Sequence, residues 1–141
     1  MRIKYADIES YYSSLKNAGN LKLPRVIRAA IARNMLLLDL EYRIYQPQKD
    51  EIIRTYAKKD EKGNTITGKD ENGMLSCTIE PERINDFKND MKDLESIEIE
   101  LNIQTFPRSA FDLCDESDRY DIPTATQEAA LSWMTEEEED G

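Results

Sequence analysis

Residues 59–73, KDEKGNTITGKDENG, carry two acidic clusters that end in glycine and start ten residues apart. Grouped Asp, Asn and Gly are the material of a calcium loop, in which several oxygens converge on one ion. An EF-hand register needs acidic or amide ligands at its first, third and fifth positions, glycine at the sixth and glutamate at the twelfth. With Gly73 as the invariant glycine, Gly68 falls at the first position and Ile79 at the twelfth; with Gly63, Lys58 stands first and Lys62 adjoins the glycine. Both registers lose ligands. The stretch reads instead as turns, because Gly and Asn accept positive φ and Asp and Asn bond nearby backbone. It is expected to form a hairpin or a pair of turns, with no metal.

The acidic string Asp112, Asp115, Glu116, Asp118 and Asp121 is the second set with chemical capacity. Two such carboxylates could act as acid and base or hold magnesium. Their spacing sets no pair on one element, so a solvated loop that contacts a partner is expected. A basic set, Lys22, Arg25, Arg28 and Arg33, could meet phosphates or an acidic protein. It lacks glycines, interleaved aromatics and a recognition-helix pattern, so a solvated helix face is expected, with Arg25, Arg28 and Arg33 as partner contacts. The chain has no histidine, which removes Ser-His-Asp and Cys-His chemistry. Cys77 and Cys114 are too few for a structural zinc site and read as two reduced thiols. No catalytic residue and no cofactor is expected.

These groups need elements to hold them. Residues 5–18 read as a short helix stopped by Gly19-Asn20. LKLPRVIRAAIARNMLLLDLEYRIY opens a long one with Pro24 in its first turn. On that helix Leu23, Ile27, Ala30, Ile31, Leu38, Tyr42 and Tyr45 share one face, and Lys22, Arg25 and Arg33 oppose it. Asn34 falls near the centre of the apolar face and needs a hydrogen-bond partner. Pro47 is expected to kink or interrupt the helix before Gln48–Lys58 resumes it. Thr65–Thr67 and Leu75–Ile79 read as short strands, and Pro81 begins a helix with the stripe Ile84, Phe87, Met91 and Leu94. IEIELNIQ alternates as a half-buried strand. Residues 108–123 form an acidic connection with one helical turn near Ala110–Cys114. Thr124 to Gln127 is a capping box for a last helix through Met134.

The net charge of −10 is unevenly distributed. Residues 1–58 hold eleven Lys/Arg against six Asp/Glu, a net +5, and residues 59–141 hold eight against twenty-three, a net −15. That sum disfavours direct nucleic-acid binding by the whole molecule. No apolar run is long enough to span a bilayer, so no membrane partner is expected. The architecture expected is α+β: an N-terminal αα-hairpin with a long second helix, a small antiparallel sheet of a hairpin plus one strand, and two further helices. Residues 1–135 form the domain, and 136–141 an acidic frayed tail.

Taken in order, MRIKYADIESYYSSL, ARNMLLLDLEY after L-P, EIIRTYAKKDEKGN, DENG, IEIELNI and ALSWMTEE resemble a family of small proteins of tailed phages and prophages from low-GC Gram-positive bacteria. The resemblance spans nearly the whole chain and carries no active residue. It departs at Pro47 and at the longer connection RSAFDLCDESDRYD. It implies a non-enzymatic protein acting by protein contact in virion assembly or as an accessory component, in the host bacterial cytoplasm or the virion. Its partner would be a phage structural protein or a host defence protein. The alternative is an inhibitor of host defence, aimed at a nuclease or CRISPR complex through an acidic surface that mimics nucleic acid. A carboxylate-metal enzyme is the third hypothesis.

Overall fold

A computed structural model describes residues 1–69, 71–73 and 75–136. Its longest element, α2, runs from Arg25 to Tyr56. Pro24 begins it, with φ already at −52° and its carbonyl accepting from the amides of Ile27 (3.0 Å) and Arg28 (3.1 Å). Ile27, Ala30, Ile31, Asn34, Leu38 and Tyr45 are its buried residues, and Tyr42 packs against the same core. The face expected from the sequence is the face observed. The interruption expected at Pro47 is absent: the helix continues unbroken to Tyr56. Pro47 is exposed, so water can bond the Arg43 carbonyl that the proline leaves without a donor. Tyr45 before it and Ile52 after it both pack on the core, which holds the two halves in one helix. At the far end Arg83 donates to the Thr55 carbonyl (2.8 Å) and lies over the Tyr56 ring at 4.5 Å, placing a cation at the negative end of the helix.

Helix α1, Ile8–Ala18, follows a 3-10 turn at Tyr5–Asp7 and packs on α2 through buried Ile8, Leu15 and Ala18. Two features of the strands differ from expectation. Arg2–Lys4 forms a strand, β1, that the sequence reading left unassigned. It pairs antiparallel with β4, Glu98–Glu100, setting Ile3 opposite Ile99. The hairpin of β2, Thr67–Lys69, and β3, Leu75–Cys77, stands apart as a second two-stranded sheet. The single sheet of hairpin plus one strand is therefore corrected to two separate pairs. Ile3 is buried and can seat a strand on the core, whereas none of residues 58–69, 71–73 or 76–80 is fully buried. The hairpin is tied on at its base, where Ala57 bridges Ile79 and the Lys58 amide donates to the Thr78 carbonyl (2.7 Å). Both glycine turns are present. Gly63 and Gly73 have φ of 83° and 77°, and Asp60 Oδ1 accepts from the amides of Lys62 and Asn64, 2.9 Å each.

Pro81 opens a 3-10 turn before α3, Ile84–Glu95. Of its expected stripe only Leu94 is fully buried; Phe87 and Met91 are half-buried and Ile84 is exposed. The acidic connection is more ordered than expected, with a 3-10 helix at Arg108–Asp112 running into α4, Leu113–Glu116. Helix α5, Ala125–Leu131, begins with the anticipated capping box: the Gln127 amide donates to Thr124 Oγ1 (3.2 Å) and the Thr124 amide to Gln127 Oε1 (2.8 Å). The chain closes on Phe106, whose amide donates to the Met134 carbonyl (3.0 Å) and whose carbonyl accepts from the Glu136 amide (2.9 Å). Glu136, expected in the frayed tail, is thus paired; residues 137–141 of that expectation lie outside the described residues. Ile3 near one end and Met134 near the other belong to one hydrophobic cluster built around α2.

Candidate protein-contact site

Helix α2 has a second apolar face. Val26, Leu36, Leu40 and Ile44 are 41%, 58%, 48% and 54% exposed, although a core face already exists on the same helix. At 100° per residue Leu36 and Leu40 project opposite Ile27, Leu38 and Tyr45, and Ala29 lies between them along the same stripe. The helix is therefore apolar on two sides, buried on one and open on the other. The sequence reading assigned the first side and missed the second. The signal was in MLLLDLEYRIY, whose Leu residues fill more of the circumference than one buried stripe requires.

The three arginines named from sequence are all exposed. Arg25 and Arg33 edge the outward face of α2, as their positions on the helix imply. Arg28 lies elsewhere, in a cleft of about 400 Å³ that Lys22, Arg119 and Tyr120 also line. Among the described residues none of Arg25, Arg28 and Arg33 makes an ion pair. Arg43, next along the outward face, pairs with Asp39 at 2.9 Å, one turn away. Among the described residues these arginines form no ion pair with the acidic second half of the chain. Among the described residues the ion pairs between distant segments are those of Arg2 with Glu98 and Glu100 and of the Met1 amino group with Glu100, at the β1–β4 pair.

Asp112, Asp115, Glu116, Asp118 and Asp121 are also all exposed, gathered on the turn that includes α4. Asp121 is anchored from both sides: its carboxylate accepts from the Lys22 amide (2.7 Å), and its own amide donates to the Lys22 carbonyl (2.8 Å). This tie sets the acidic turn beside the start of α2 and the Arg28 cleft. Cys114 is the buried residue beneath it. Burial pushes its thiol up, and the carboxylates of Asp115, Glu128 and Asp121 push it further, so it stays protonated and a poor nucleophile. Cys77 and Cys114 are both free. No group of three or more metal-ligating residues converges among the described residues.

Between α2 and α3 a cleft of about 390 Å³ is lined by Glu51, Asp90, Asp93 and Ile97. The Tyr56 hydroxyl donates to Asp90 near its mouth, and that bond, followed by burial, pushes the phenol up. No helix among the described residues is long and apolar enough to cross a membrane. The chain matches no protein-family model, no curated protein and no solved structure.

Proposed function

We propose that this chain is a non-enzymatic protein that works by contact with other protein surfaces, through the outward face of α2. The observation that supports this reading is the exposure of Val26, Leu36, Leu40 and Ile44 along one side of the central helix. Contiguous apolar side chains on a small soluble domain mark an interaction surface more often than chance. Each of the four is about half exposed, so covering it returns on the order of 1 kcal/mol. Edging by Arg25 and Arg33 adds orientation and selectivity to such a contact. The phage or prophage setting, with a role in virion assembly or as an accessory component, rests on the ordered resemblance of the sequence segments. Affinity capture from infected cells tests it, comparing the wild type with Leu36→Glu/Leu40→Glu. The expected result is a specific co-purifying protein lost in the variant. An identical captured set from both would refute the assignment of the α2 face.

A second reading is supported by a different observation, the exposure of all five carboxylates Asp112, Asp115, Glu116, Asp118 and Asp121. Here the acidic turn imitates nucleic acid and blocks the basic groove of a host defence protein. Binding would then weaken steeply with added salt. The charge-neutralised variant Asp115→Asn/Glu116→Gln/Asp118→Asn should lose inhibition of a host nuclease or CRISPR complex while retaining its fold. Unchanged inhibition by that variant would exclude the acidic turn.

A further inference from the structure

We infer that the occupant of the outward face of α2 is a second copy of this chain, laid antiparallel about a two-fold axis near residue 42. This inference rests on the protein-contact reading above and names its partner. The geometry comes from the positions of apolar and charged residues along one helix. Eighteen residues make five full turns, so Arg33 and Glu51 share one azimuth, about 27 Å apart along the axis. Both are exposed and neither makes an ion pair among the described residues. In an antiparallel two-fold pair the same edge of each helix meets itself with its direction reversed. Centring that pair near residue 42 sets Arg33 against Glu51 of the second copy, and Leu40 against Ile44 of the second copy. Symmetry produces each contact twice.

The other edge of the face fits the same register. Asp39 and Arg43, already joined at 2.9 Å, straddle the axis there. Two copies bring Asp39 and Arg43 against Arg43 and Asp39, an alternating group of four charges. A parallel two-fold arrangement would set each edge against the opposite edge of the second copy, so that Arg33 and Glu51 no longer meet, and would align the two helix dipoles, which is unfavourable. This antiparallel register covers Leu36, Leu40 and Ile44 while pairing Arg33 with Glu51 on one edge and Asp39 with Arg43 on the other. It leaves the acidic turn at Asp112–Asp121 free for a different partner.

Each copy carries a net charge of −10, so the pair is held by apolar contact and local ion pairs against a general repulsion. Sedimentation equilibrium of the full chain, between about 1 and about 200 µM at near-physiological salt, reads the association directly. A monomer–dimer equilibrium is expected. Leu36→Glu/Leu40→Glu should sediment as a monomer with an unchanged circular dichroism spectrum. Arg33→Glu alone should weaken association about ten-fold by setting two like pairs against each other, and Arg33→Glu/Glu51→Arg should restore it. These two variants change exposed residues, so they test the register even if Leu36→Glu/Leu40→Glu fails to fold. A monomeric wild type throughout that range overturns the inference, as does a charge exchange that fails to restore association. A monomer that still loses a captured protein on Leu36→Glu/Leu40→Glu overturns self-association alone and leaves the protein-contact reading in place.

Discussion

Asn34 is the one buried polar side chain among the described residues, and it holds two parts of the chain together. Its Nδ2 donates to the Gln104 carbonyl (2.9 Å) and lies 2.8 Å from Met134 Sδ; its Oδ1 accepts from the Gln104 amide (2.7 Å). Asn34→Ala removes both partners of Gln104 and leaves a cavity, so a loss of about 3 kcal/mol is expected in urea unfolding. A loss below about 1 kcal/mol would show that water replaces the amide at no cost. Tyr45 supplies a second test at this scale. Burial first, then the carboxylates of Glu95 and Glu9, push its hydroxyl from the ordinary 10.0 up to about 12. Folding therefore favours the protonated phenol: that contribution is whole below pH 10 and is lost as pH rises through about 12. Tyr45→Phe cannot ionise, so its urea midpoint should fall less steeply than the wild type's across that window. Parallel slopes would mean that Tyr45 titrates as it does in the unfolded chain. Asn34 was legible in the sequence because an amide on an apolar face demands a partner. The identity of that partner was not, since Gln104 lies seventy residues away.

At the scale of elements, local signals survived and pairing did not. Pro24, the Thr124–Gln127 capping box and the Gly63 and Gly73 turns act within a few residues, and each appears where its chemistry put it. The strand β1 is three residues long, too short for any periodicity, and its place is decided by β4 nearly a hundred residues on. The outward face of α2 is the reverse case: its pattern was visible in the sequence, as leucines beyond those that one buried stripe requires. Pro47 marks where tertiary contact overrides a local rule. A proline inside a helix costs about 3 kcal/mol relative to alanine, offset by up to about 1 kcal/mol from stiffening the unfolded chain. Because α2 already runs unbroken through the site, Pro47→Ala should stabilise the protein by about 1–2 kcal/mol, seen as a higher urea midpoint at unchanged slope. A decrease in stability would mean that the proline shapes a bend on which the packing of Tyr45 and Ile52 depends.

Across the whole molecule, contacts distant in sequence gather the N-terminal strand, α1, α2, α5 and the extended run to Phe106 into one cluster. The hairpin is left outside it. The β1–β4 pair, the Asn34–Gln104 bonds and the Lys22–Asp121 bonds each join segments seventy or more residues apart. The hairpin, by contrast, is tied at its base to the end of α2 and has no fully buried residue among 58–69, 71–73 and 76–80. Opening it exposes little apolar surface, so its free energy of opening lies well below that of global unfolding. Hydrogen exchange should separate the two. The Ile66 amide, bonded to the Lys58 carbonyl at 3.0 Å, is expected to exchange far faster than the Gln104 and Phe106 amides, which need the core to open. Added denaturant should accelerate Gln104 and Phe106 with the slope of global unfolding, and Ile66 hardly at all. Equal protection and equal slopes would show that the hairpin shares the cooperative unit, held by contacts with α2 stronger than its surface exposure implies.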